Sequence, residues 1–261
     1  MGVQSGRRIL LGLAATLGLT AQAVAAADAD PTTQTGGAWP APIEDDALYH
    51  RLLLDQFEYR AGDADEAALA WDVLGWVGGD HRRLWLESEG HHRTRDHQTE
   101  IGRLDVYYGR LIAPYWDLLG GVGYQRHAGM DDDPERLAAV IALHGLLPYR
   151  LEIDATARLD EQGLLTGRLE AESELLITQR LILQPRIELS AAAREDHAFD
   201  VGAGLTSATA GLRLRYEIDR QFAPYVGWSW TRKLAGTADL AREGGEAVRE
   251  STLVTGVRIW F

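Results

Sequence analysis

The sequence predicts an all-β fold, a transmembrane outer-membrane β-barrel of about 12 antiparallel strands over residues 47–261. Three observations carry this. Apolar residues recur with period two along most of the chain. Connections alternate between short and long. The aromatic balance is skewed, with Trp 8 and Tyr 9 against Phe 4, and Trp and Tyr favour the boundary between water and an apolar phase.

The period is clearest in four stretches. Leu151, Ile153, Ala155, Ala157 and Leu159 share one face, against Glu152, Asp154, Thr156 and Arg158. Leu181, Leu183, Ile187 and Leu189 oppose Arg180, Gln184, Arg186 and Glu188. Leu212, Leu214, Tyr216 and Ile218 oppose Arg213, Arg215 and Glu217, and Leu169 to Ile177 carries Glu170, Glu172 and Glu174 on its polar face. Successive strand side chains point to opposite faces, so each stretch is half apolar. A soluble sandwich and a membrane barrel both fit such strands.

Loop lengths separate the two. Strand centres fall near Leu54, Leu74, Leu86, Val106, Gly120, Ile141, Ala155, Ala171, Arg186, Leu212, Trp228 and Thr255. The connections at Gly78–Asp80, Ala113-Pro114, Leu147-Pro148, Thr178-Gln179 and Asp219-Arg220 are short. Those at Ala61–Ala67, Ser88–His97, His127–Pro134, Ala193–Val201 and Lys233–Arg249 are longer, with Asp160–Gly163 the exception. Short periplasmic turns and longer outer loops mark an outer-membrane barrel, and an even strand number puts both termini on the periplasmic side. Pro-Tyr recurs at Pro114-Tyr115, Pro148-Tyr149 and Pro224-Tyr225. These tyrosines, with Trp116, Phe222 and Trp260, are expected to form an aromatic girdle at the inner boundary. The chain finishes Val257-Arg258-Ile259-Trp260-Phe261, with the alternation and aromatic end of a barrel assembly signal.

Residues 1–27 read as a signal peptide: Arg7-Arg8, an apolar run from Ile9 to Leu19, then small residues through Ala27. The apolar run is too short to anchor in a bilayer. Residues 28–46, rich in Pro, Gly, Thr and Asp, read as a flexible mature N-terminus. The expected location is therefore the cell outer membrane. The net charge is −13 and Lys233 is the only lysine, which excludes a nucleic-acid partner that needs a basic patch. There is no Cys, hence no disulfide and no thiolate metal site.

Several stretches resemble the copper resistance protein B family of outer-membrane proteins. They are Trp76–Asp80 with Leu84–Glu87, Pro114–Asp117, Gly145–Tyr149, Thr178–Arg186, Gly211–Glu217 and Phe222–Tyr225. The most specific are Thr178–Arg186 and Gly211–Glu217, and together the pieces cover the chain from about Leu48 onward. The resemblance implies a role in copper tolerance, with copper as the ion bound or moved and a periplasmic copper-handling protein as a partner. Family members often carry a Met- and His-rich segment ahead of the barrel. Residues 28–46 contain neither Met nor His, so a methionine-rich copper arm is not supported.

Imidazole and carboxylate suit Cu(II), and thioether suits Cu(I). The metal-ligand candidates are His50 and His81, at the inner ends of neighbouring strands; His91, His92 and His97, in one outer loop; and His127 with Met130 in the next. His144, in the apolar strand Ala138–Leu147, reads as a hydrogen-bonded barrel histidine. The lumen is expected to hold a charge network. Its acids are Glu58, Glu87, Glu89, Asp105, Asp117, Glu152, Asp154, Glu170, Glu172, Glu174, Glu188 and Glu217. Arg158, Arg168, Arg180, Arg186, Arg213, Arg215 and Arg258 oppose them. Charges withdrawn from water need partners, and an excess of carboxylates also favours a cation path.

A monomeric copper-handling barrel without covalent chemistry is the reading that results. A general small-solute pore is the alternative. A hydrolase requires a Ser activated by His, and no Ser here sits in a recognisable nucleophile motif.

Overall fold

The computed structural model describes residues 47–61, 67–95, 97–127 and 134–261. The segments read as signal peptide and flexible N-terminus lie outside these residues, as does Met130. The strands, in chain order, are β1 (Tyr49–Ala61), β2 (Ala68–Gly78), β3 (Arg82–Arg93), β4 (Thr99–Ala113), β5 (Trp116–Arg126), β6 (Glu135–Leu147) and β7 (Leu151–Asp160). They continue with β8 (Leu165–Ser173), β9 (Leu175–Leu176), β10 (Leu181–Ala192), β11 (Gly204–Tyr216), β12 (Phe222–Lys233) and β13 (Arg249–Trp260). Every expected strand centre lies inside one of these segments.

All pairings are antiparallel between chain neighbours, and β1 pairs β13 to close the wall. β8 and β9 are one stave, because both pair β10 in a common register: Glu172 faces Arg186 and Leu176 faces Ile182. The break between them stands across from Pro185, which has no N–H to give to the ladder. Twelve staves therefore form the closed antiparallel barrel. Closure leaves no unpaired edge, the condition for strands to cross lipid.

The faces sort as the period-two pattern requires. Val122, Ile141, Ile187, Val226 and Leu253 lie outside and exposed. Inside, Trp85, Tyr107, Leu119, Ala138, Val140 and Ala142 pack into an apolar cluster on the β3–β6 side. Glycine makes the room. A Cβ on Gly123 of β5 would stand 2.1 Å from Asp105 Oδ1 and 2.4 Å from Arg158 Nη2, so a larger residue displaces the Asp105–Arg158 pair. Gly123→Ala is expected to cost about 1–3 kcal/mol, the usual penalty for overpacking. Gly120→Ala, with nothing within 4 Å of its Cβ, is the control. Urea midpoints of the two refolded variants, followed by Trp fluorescence, give the comparison.

Local corrections follow from the ladder. His91 and His92 belong to β3 and not to a loop, because the β2–β3 pairing continues to Ala68 opposite Arg93. The long β12–β13 connection contains a helix, α1 (Ala235–Glu243). It packs beside the β10–β11 loop, where the Gly202 N–H donates to Thr237 Oγ1 at 2.8 Å. Tyr115 and Tyr149 stand exposed in short turns, but Pro224-Tyr225 lies within β12. The Tyr225 side chain is buried in the lumen, so it is no girdle residue. The inward parity of odd-numbered β12 residues outweighs its aromatic character.

Candidate functional site in the barrel lumen

Three ion-pair clusters fill the lumen. The first surrounds Glu58, which is 1% exposed. Arg213 donates to Glu58 Oε2 through Nε at 3.1 Å and to Oε1 through Nη2 at 3.0 Å; Tyr225 donates at 3.0 Å and Arg60 at 2.9 Å. These donors come from β1 itself and from β11 and β12, which lie beyond β13 across the closure seam. The second surrounds Arg186, which meets Glu170 at 2.7 Å, Asp72 at 3.1 Å, Asp55 at 3.6 Å and Glu172 at 3.9 Å. Arg258 extends it to Asp55 at 2.8 Å and Glu174 at 3.2 Å, and Arg215 reaches Glu174 at 2.6 Å.

The third cluster crosses the middle. Arg103 meets Glu87 at 3.0 Å and Glu89 at 3.6 Å. Arg168 meets Glu89 at 2.6 Å, Glu188 at 2.9 Å and Glu170 at 3.2 Å. Arg158 pairs with Asp105 at 2.8 Å, and Tyr107 donates to the same carboxylate at 2.7 Å. Arg103, Thr156 and Arg168 line two cavities from opposite sides. One, of about 600 Å³, opens toward the short turns, with Tyr115, Asp117, His144, Glu152 and Asp154 on its wall. The other, of about 200 Å³, lies toward the long loops beside Gln125, Arg136 and Phe199.

The long-loop end is latched. Arg136 of β6 is ion-paired with Asp160 at 2.9 Å and with Asp196, and its guanidinium lies 4.0 Å from the centre of the Phe199 ring. This ties the β10–β11 loop to the mouth.

Most of the expected lumen charges meet an opposite partner. Asp117 pairs with Arg83 at 3.4 Å, and Glu217 lies 3.6 Å from Arg215. Glu152 lines the large cavity among acids and Arg258. Arg180 is the correction: it is exposed in the turn before β10. It has inward parity, but the wall stops one residue after it.

The histidines divide. His50 and His81 are both exposed near the short-turn end, and no contact joins them. The His92 and His97 rings lie 6.0 Å apart, while His92 Nδ1 is 2.9 Å from Thr99 Oγ1. His91 and His127, placed in separate loops by the sequence reading, share Glu100 at 3.7 and 3.6 Å. His144 Nε2 faces Glu87 at 3.3 Å and Asp154 at 3.6 Å above the large cavity. Among the described residues no three His, Asp or Glu stand in ready coordination geometry.

Sequence reasoning missed Asp55, Asp72, Arg103, Arg136 and Tyr225. Asp55 was hidden by a bulge. The register of β1 shifts between Leu54 and Gln56 on the β2 side and between Leu54 and Phe57 on the β13 side. A bulge adds one residue and flips the face of all that follow, so Leu53 and Gln56 are both buried. The signal was present as Leu52-Leu53-Leu54 followed by Asp55-Gln56, where alternation fails. Asp72 and Arg103 needed only parity with Ala70 and Asp105.

A closed barrel with an apolar outside and a charge-filled inside defines the protein as an outer-membrane β-barrel. The NanC porin shares this fold, with a TM-score of 0.50 and 13% identity over 81% of this chain and 99% of that one. The family model described as copper resistance protein B precursor matches residues 48–261. Copper resistance protein B of Escherichia coli is 36% identical over 234 residues, covering 90% of this chain and 77% of that protein. A copper resistance protein B homolog of Pseudomonas syringae pv. tomato is 41% identical over 219 residues, covering 84% of this chain and 72% of the homolog. The chain belongs to the copper resistance protein B family.

Proposed function

We propose that the barrel serves copper tolerance by taking copper ions into its lumen, where they are held or passed along carboxylate and imidazole groups without covalent chemistry. The supporting observation is the large cavity at the short-turn end. Among the described residues no arginine forms an ion pair with Glu152 or Asp154 on its wall, and His144 stands beside Asp154. A hard–borderline donor set of this kind suits Cu(II). The mid-lumen belt of Arg103, Arg168 and Arg158 argues against the rival reading of a general solute pore. It separates the two cavities with side chains that cost free energy to unpair.

The test uses the full chain in lipid vesicles. Cu(II) uptake, read by an enclosed chelating dye, is expected to exceed that of vesicles without protein, and Asp154→Asn with Glu152→Gln to reduce it several-fold. Arabinose-driven swelling is expected to stay at background. Swelling with arabinose and no preference for Cu(II) would establish the pore reading instead. The signal-peptide and monomer expectations join this proposal: an exported chain that acts as one barrel in lipid, passing copper to a periplasmic protein.

A further inference from the structure

We infer that His91, Glu100 and His127 form a docking site for a divalent transition-metal ion at the long-loop mouth of the barrel. The inference deepens the copper reading by naming a first point of capture, and it rests on that reading for the identity of the ion.

The three residues form one row across neighbouring strands. His91 of β3 is directly opposite Glu100 of β4. His127 follows β5 one place beyond the Ile101–Arg126 pair, which sets it beside Glu100 on the other side. Opposed residues on adjacent strands hold their Cβ atoms about 4.5–5.5 Å apart, so the wall itself brings two imidazoles to one carboxylate. His91 Nε2 lies 3.7 Å from Glu100 Oε2, and His127 Nδ1 lies 3.6 Å from Glu100 Oε1.

Those separations are too long for good hydrogen bonds. They are close to what a shared ion imposes. Donors held about 2.0–2.2 Å from one metal lie about 3–3.7 Å apart at bond angles between right-angled and trigonal. All three side chains keep between a fifth and a third of their surface exposed, so small rotations close the site and an ion reaches it from water. The His127 ring is oriented by Phe199, whose centroid lies 5.8 Å away at 78°. Two imidazoles and a carboxylate bind Cu(II) ahead of Zn(II).

The test titrates the purified full-length chain in detergent with Cu(II) alone. Calorimetry gives affinity, and electron paramagnetic resonance gives the nitrogen hyperfine pattern of bound imidazole. Wild type is expected to show that pattern. In a His144→Ala background, which removes the lumen imidazole, the double variant His91→Ala/His127→Ala is expected to lose it and to weaken binding by about tenfold or more, with Glu100→Gln intermediate. His92→Ala/His97→Ala is expected to bind as wild type. Retention of the pattern and affinity in the His91/His127 variant overturns the site, as does a wild type that shows no imidazole-bound Cu(II). The lumen reading is decided separately, by the vesicle uptake of the Glu152 and Asp154 variants. A heat-modifiable gel shift confirms that each variant is a folded barrel.

Discussion

Replacing Arg186 by Leu is expected to destabilise the refolded barrel by about 3–5 kcal/mol, the cost of removing one partner from a buried ionic cluster. The size follows from what is left behind. Arg186 is the cation that Asp55, Asp72, Glu170 and Glu172 share, at 2.7–3.9 Å. The residue is withdrawn from water, with 11% of its side-chain surface exposed. Among the described residues its loss leaves Asp72 and Glu172 without an arginine ion pair, beside Asp55 and Glu170, which keep only Arg258 and Arg168. Some of these carboxylates will take up protons, and the remainder will bind counter-cations from the large cavity. The variant is therefore expected to show a lower urea midpoint and an increased cation conductance in planar bilayers. Arg186→Leu with Glu170→Gln should recover part of the loss, because residues in one network couple by about 0.5–3 kcal/mol. Equal midpoints for wild type and Arg186→Leu would show that the cluster contributes nothing to holding the staves together.

The identity of these charges was legible in the sequence where the strand alternates without interruption. β7, β8, β10 and β11 are such strands, and Arg158, Glu170, Glu172, Arg186, Arg213 and Arg215 were all assigned to the lumen from parity. Parity is a local rule, and it fails where the local register changes. Asp55 sits in the bulge of β1, and Arg180 falls beyond the end of its wall. Partner choice is a further step that parity does not contain. Arg258 and Glu174, separated by 84 positions in the chain, meet only because the closed barrel brings β13 and the β8–β9 stave to opposite walls of one lumen. Likewise His91 and His127 were assigned to two loops. Extension of β3 to Arg93 converts one of them into a wall residue, and Glu100, which no motif marked, becomes the group between them. The loop latch was equally hidden, since Arg136, Asp160 and Asp196 lie on a strand, a strand end and a loop.

The same stave supplies the complementary test of the membrane face. Ile187 follows Arg186 in β10 and is 57% exposed on the outer wall. It sits mid-strand, opposite Ala171 and Ala210. Ile187→Arg is expected to cost about 2–4 kcal/mol, the penalty for an arginine facing the bilayer midplane. Ile177 is also 57% exposed, but it follows the end of β9 at the short-turn end. Ile177→Arg is expected to cost about 0–1 kcal/mol, because a charge near the interface keeps its water. Exposure is equal at the two positions, so any difference measured in vesicles reports depth in lipid and not burial in protein. In a soluble sandwich both positions would face water and both changes would cost little. Reversible unfolding from phosphatidylcholine vesicles, with the two variants read side by side, separates these cases. Equal small costs would remove the lipid from the account of the outer face. A large cost confined to Ile187 fixes the membrane midplane at the level of Arg186, and so places the four-carboxylate cluster where the surrounding dielectric is lowest and its pairing matters most.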